Sequence, residues 1–229
     1  MNLEKYQQYS RIARGLEKAD LVLKNARIVN VFTEEIIRGD IAIQDGIIAG
    51  IGSFHGKEER DLAGRYVCPG FIDSHLHLES TLVTPAELVT VASRHGTTTF
   101  IVDPHESANV SGLAGIDYIL DQTEDVKANV YVMMPSCVPA TAIDDNGCTL
   151  TAEDMAPYLH NSRILGLGEV MDSISVVQGD KTMHDKLELF EGRIRDGHAP
   201  FLEEGDLQAY AMAGIATDHE CSFFDYAMR

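Results

Sequence analysis

Beyond Pro69 the chain alternates short apolar runs with stretches of helical spacing, and this rhythm restricts the fold more than any other feature. Residues 97–103, 129–134 and 164–170 read as strands, while 85–95, 113–124 and 181–195 read as helices. Thr151 and Asp154 have the spacing of a capping box and predict a helix reaching His160. Parallel strands need a crossover of a dozen or more residues, which a helix supplies. The fold class is therefore α/β, with a parallel sheet that is either open or closed into a (β/α) barrel. Counted from Phe71, strand ends fall at 73–79, 103–105, 134–136, Glu169, His198 and His219, which makes six βα steps.

In such sheets the chemistry is carried at the carboxyl ends of the strands. The run Pro69-Gly70-Phe71-Ile72-Asp73-Ser74-His75-Leu76-His77-Leu78-Glu79-Ser80, read with a period of two, sends Asp73, His75, His77 and Glu79 to one face. Two imidazoles bracketed by carboxylates suit a divalent metal, since a carboxylate commonly holds the second ring nitrogen. His75, His77, Glu169, His198 and His219 are the candidate ligands, and His-x-His, Glu, His and His occupy successive ends. Singly, Glu169 could cap the following helix, and His198 or His219 could satisfy a turn. Together they form a nitrogen-rich set that suits zinc, manganese or iron better than calcium. Two metals sharing Glu169 use the ligands most economically, and such a pair implies hydrolysis. Glu79, Glu169 and His105, the last in Asp103-Pro104-His105-Glu106, are the expected catalytic groups.

Residues 1–19 predict an amphipathic helix and 20–66 a small β-module, with a hairpin at Asp45-Gly46, leaving 67–229 for the βα region. The formal charge of -18 argues against nucleic-acid polymers and anionic membranes as partners. The four cysteines form no Cys-x-x-Cys pair, and no run has the length of a secretory core or a membrane span. A reducing cytoplasm is the expected location. A cytidine-deaminase signature is incomplete, Gly166-x-Gly168 lacks the third glycine of a dinucleotide loop, and no Gly-x-Ser-x-Gly or His-Glu-x-x-His occurs.

The segments 19–32, 65–80 and Asp103-Pro104-His105-Glu106 resemble the prokaryotic adenine deaminases of the amidohydrolase superfamily. So do Gly168-Glu169-Val170-Met171, 196–200 and 214–220. The resemblance implies a barrel of the metal-dependent hydrolase type with a small β-domain, and two divalent metals, manganese first, with iron or zinc as alternatives. His75 and His77 would hold one metal, and His198 and His219 the other. Glu169 would bridge them, where many superfamily members use a carboxylated lysine. The implied reaction takes adenine and water to hypoxanthine and ammonia, in an enzyme expected to form homo-oligomers at full length. A dihydroorotase-like activity is disfavoured by Glu169 at a position where those enzymes usually carry lysine. Because a closed barrel has eight strands and about six are read here, the chain is expected to be a piece of a longer enzyme or an inactive truncated product. The aspartate that the family places after strand eight then lies outside it.

Overall fold

The computed structural model of the chain describes residues 1–141 and 143–228. Two compact units emerge, Met1–Pro69 and Gly70–Arg229.

In the first unit, helix α1 (Leu3–Ala13) begins at Asn2, whose side chain accepts the Lys5 N–H at 2.9 Å. It ends sooner than the sequence spacing predicts because Gly15 adopts φ +71 and turns the chain. Its Ile12 packs in a small core with Ala19, Val22, Ala42 and Phe54. The strands are β1 (Ala19–Asn30), β2 (Glu35–Gln44), β3 (Ile47–Gly52), β4 (Gly56–Asp61) and β5 (Tyr66–Val67). They run in the order β3-β2-β1-β4, with β5 also paired to β1. Asp45 and Gly46 both take positive φ and join β2 to β3, as the hairpin signal predicts. What reads as two apolar runs at 21–31 is one strand carrying an irregularity between Leu23 and Ala26.

Asp40 fastens this sheet. Its carboxylate accepts from Lys24 Nζ at 2.5 Å, Asn25 N at 3.0 Å and Phe54 N at 3.2 Å. Burial pushes the Asp40 carboxyl up, but Lys24 and the two amides outweigh it and hold it below its ordinary value. A carboxylate depressed on folding stabilises above its unfolded pKa, near 3.9, and loses that contribution as pH falls through the lower folded value. Asp40→Asn is expected to cost about 2–3 kcal/mol at neutral pH and to flatten the loss of stability below about pH 4. Urea unfolding at several pH values measures both, and a variant as stable as the parent would remove Asp40 from this role.

The second unit is built on six parallel strands: β6 (Phe71–Leu76), β7 (Thr97–Val102), β8 (Asn129–Pro135), β9 (Ile164–Val170), β10 (Ile194–Gly197) and β11 (Thr217–Asp218). They lie side by side in chain order and form a curled half-barrel sheet. The helices are α2 (Pro85–Ser93), α3 (His105–Ser111), α4 (Leu113–Gln122), α5 (Ala152–Met155), α6 (Ser173–Gln178), α7 (Lys181–Leu189), α8 (Glu204–Met212) and α9 (Phe224–Ala227). Phe100, Val132, Met134 and Leu167 from the strands are buried with Ile119 of α4 and Leu187 of α7. Each such side chain contributes roughly 1.5–3 kcal/mol.

Two readings need correction. The helix expected over 181–195 stops at Leu189, because Gly192 turns the chain at φ +78 and 194–197 is required as a strand. The face expected to carry Asp73, His75, His77 and Glu79 does not persist, since β6 ends at Leu76 and Glu79 opens a single 3-10 turn. Among the described residues no helix is long and apolar enough to cross a membrane.

Candidate metal centre

Each strand delivers its polar residues where its apolar run stops. His75 lies in β6 and His77 just beyond it. Asp103 follows β7, and His105 begins α3. Glu169 lies near the end of β9, while His198 and His219 directly follow β10 and β11. The curl of the sheet brings these groups around one carboxylate. Glu169 Oε1 lies 3.1 Å from His75 Nε2, 3.5 Å from His77 Nε2, 2.9 Å from His219 Nε2 and 3.6 Å from His198 Nδ1. Its Oε2 lies 2.9 Å from His105 Nδ1. The Glu169 side chain is buried, and its backbone takes φ +27, a strained conformation for a residue with a Cβ. The Glu169 carbonyl is held from two directions, accepting from Ser136 Oγ at 2.8 Å and Met171 N at 2.7 Å.

The far sides of three imidazoles are anchored. His77 Nδ1 meets the Asp103 carbonyl at 2.8 Å and His219 Nδ1 meets Asp196 Oδ2 at 2.9 Å, while His75 Nδ1 lies 3.7 Å from the same Asp196 oxygen. With Nδ1 turned outward, each ring presents Nε2 toward Glu169, which is how proteins orient imidazole ligands. His75 Nε2 and His77 Nε2 are only 2.9 Å apart, and two lone pairs at that distance repel unless a proton or a cation lies between them. Glu169 Oε2, His105 Nδ1, His198 Nδ1 and both Asp103 carboxylate oxygens are buried without a hydrogen-bond partner. Buried groups of this kind need compensation, so the donor set fits divalent cations. Imidazole nitrogens with carboxylate oxygens select manganese, iron or zinc over calcium.

The electrostatics agree with an excess of acceptors. Burial raises Glu169, yet the surrounding imidazoles of His105, His219, His75 and His77 drive its carboxyl far below the usual range. Glu106 and then Glu169 push His77 up to about 11. Burial lowers His105 and His219, but Asp103 with Glu169, and Asp196 with Glu169, reverse this and push each to about 10. Without metal the cluster gathers protons, and a cation satisfies the same demand. Burial beside Glu106 raises Glu79 to about 7. Its Oε1 accepts from Ser107 N at 3.3 Å.

All five residues expected as ligands thus converge, and His105 joins them. Among the described residues, Asp73 belongs to no group able to share a cation. Asp196, Asp103 and Glu106 belong to such groups and were not singled out in the sequence. A signal existed for Asp196, which stands two residues before His198 at the end of β10.

A parallel sheet of βα units with imidazoles and carboxylates gathered at its strand ends defines a (β/α)-barrel hydrolase scaffold. The Amidohydrolase family profile matches residues 66–229, and the chain belongs to that metal-dependent family. It is 57% identical over 228 residues to a protein named adenine deaminase from Desulfitobacterium hafniense (strain Y51), a match covering 100% of this chain and 40% of that one. Another protein of that name, from Clostridium acetobutylicum, is 50% identical across 92% of this chain and 37% of its own length. The chain therefore spans about two fifths of the length of these relatives. Among solved structures, 5-methylcytosine deaminase from Klebsiella pneumoniae superposes with a TM-score of 0.51 at 16% identity, over 84% of this chain and 55% of that one. N-isopropylammelide isopropylaminohydrolase from Burkholderia multivorans gives 0.50 at 19%, over 85% and 55%. At these identities the likeness concerns the fold.

Proposed function

We propose that this chain carries the metal-binding part of an adenine deaminase, which converts adenine and water to hypoxanthine and ammonia. The observation that carries the proposal is the convergence of five imidazoles on Glu169, in a chain 57% identical to a protein bearing that name. His75 and His77 would hold one divalent cation and His198 and His219 the other, with Glu169 close to all four rings. Bound cations supply an acidified water and polarise the group under attack. The chain's own contribution is to hold and aim. Asp196 and the Asp103 carbonyl fix the imidazoles, and Ser136 fixes the Glu169 backbone. Proton movement to the departing amine falls to Glu79 and His105, with Glu106 beside them. Ser80 Oγ donates to Glu106 Oε1 at 2.8 Å, and Glu106 Oε2 lies 3.7 Å from His105 Nε2. Manganese is proposed as the native metal, with iron or zinc next. The four free cysteines fit a reducing cytoplasm.

Two measurements test this. The purified chain, stripped and dialysed against MnCl2, is expected to hold about two ions. A chimera in which it replaces the matching part of the Desulfitobacterium relative is expected to turn adenine into hypoxanthine, followed by absorbance and by ammonia release. Failure to retain manganese would refute the metal centre. A folded, loaded chimera that leaves adenine intact would refute the substrate.

A further inference from the structure

One buried hydroxyl links the two strand ends that carry Glu169 and His198. Tyr210, on α8, is 3% exposed, with its ring packed in the core of the second unit. Its Oη donates to the Val170 carbonyl at 2.5 Å and accepts the His198 N–H at 3.1 Å. Val170 follows Glu169 in the chain, so the hydroxyl touches β9 one residue from the central carboxylate and meets the chain just past β10 at the histidine itself. The seam it occupies is one that the regular ladder leaves irregular, because the β9–β10 register shifts between Arg195 and Gly197. A side chain on Gly197 would crowd it, since a Cβ there would stand 3.0 Å from Tyr210 Oη and 2.4 Å from the Thr217 carbonyl.

We propose that Tyr210 is a positioning residue: its hydroxyl pins the Val170 carbonyl to the His198 amide, and so holds Glu169 and His198 at the spacing a shared divalent cation requires. Without it, β9 keeps its strained turn at Glu169 but loses the link that sets His198 against it. A ring nitrogen displaced by a fraction of an ångström still lies in the site, and it binds metal more weakly. The proposal rests on the metal-centre reading given above. Outer partners of this kind typically govern about 10–100-fold in metal affinity.

The test compares Tyr210→Phe with Tyr158→Phe, which loses a single tyrosine hydrogen bond, from Tyr158 Oη to Asp117 Oδ1 of α4 at 2.6 Å, where neither residue belongs, among the described residues, to a group able to share a cation. Co2+ is titrated into each stripped protein, the affinity is read by calorimetry, and the coordination is read from the visible absorption of bound cobalt. Tyr210→Phe is expected to weaken at least one of the two binding events by 10-fold or more and to shift the cobalt spectrum. Tyr158→Phe is expected to leave both as in the parent. Equal affinity and an unchanged spectrum in Tyr210→Phe overturn the proposal, as does an equal loss in both variants, which would signal general loosening. If the parent itself binds no cobalt, the metal-centre reading fails and takes this inference with it. Should Tyr210→Phe not fold, amide hydrogen exchange of the zinc-loaded parent decides. Slow exchange at His198 N–H supports the link, and exchange at the rate of a free amide overturns it.

Discussion

Glu169→Gln is expected to release at least one of the two cations and to weaken manganese binding by about 100-fold or more, roughly the 3 kcal/mol associated with removing one preorganised charge. The substitution keeps the shape of the side chain, so the result isolates charge. The carboxylate is 4% exposed and lies within 3.6 Å of ring nitrogens from His75, His77, His105, His198 and His219. Among the described residues no other acidic group touches that many, since Asp196 and Glu106 each reach two of them and Asp103 one through its side chain. An amide in its place offers one neutral oxygen and a nitrogen that cannot accept, leaving nitrogens on one side of the site without a counter-charge. Metal analysis after equilibrium dialysis gives the stoichiometry, and calorimetry gives the affinity. Retention of two ions at parental affinity would show that Glu169 serves the backbone turn and not the cations.

The convergence of the histidines on Glu169 was legible because each stands where an apolar run stops, and a parallel sheet turns such positions into neighbours. Nothing beyond periodicity and order was needed for His75, His77, Glu169, His198 and His219. Asp196 was obscured for a physical reason: helical spacing in 181–189 runs on into Arg193 and Arg195, and the turn at Gly192 is visible only in the backbone. The strand end at His198 was legible, but with the start of β10 read as helix the face carrying Asp196 was hidden. Helices α3 and α6, of 7 and 6 residues, have too few turns to establish a period. Glu79 stands beside Glu106, which in turn faces His77 and His105. It arrives through a 3-10 turn after β6 and not along the strand. The strain at Glu169 and the Tyr210 link have no signature in a single sequence, because both depend on which backbones meet.

The two glycines of Gly166-Leu167-Gly168 show how such meetings constrain a strand, and they separate fold from site. A Cβ on Gly166 would stand 2.0 Å from the Ile194 carbonyl oxygen and 2.8 Å from its carbon, in the neighbouring strand that pairs with it. Backbone cannot rotate away, so Gly166→Ala must part β9 from β10 and is expected to cost about 3 kcal/mol or more. A Cβ on Gly168 would instead meet Asp103 Oδ2 at 2.0 Å and Met133 Cβ at 2.7 Å. There the obstacle is chiefly a side chain, and the carboxylate that must move stands 3.7 Å from His105. Gly168→Ala is therefore expected to cost less stability, while weakening manganese binding by about 10-fold through the displaced Asp103. Urea midpoints rank the first effect, and metal titration ranks the second. Were Gly166→Ala as stable as the parent, the close β9–β10 pairing that brings Glu169 to His198 would have to be abandoned. Were Gly168→Ala to bind manganese normally, Asp103 would have no part in shaping the centre.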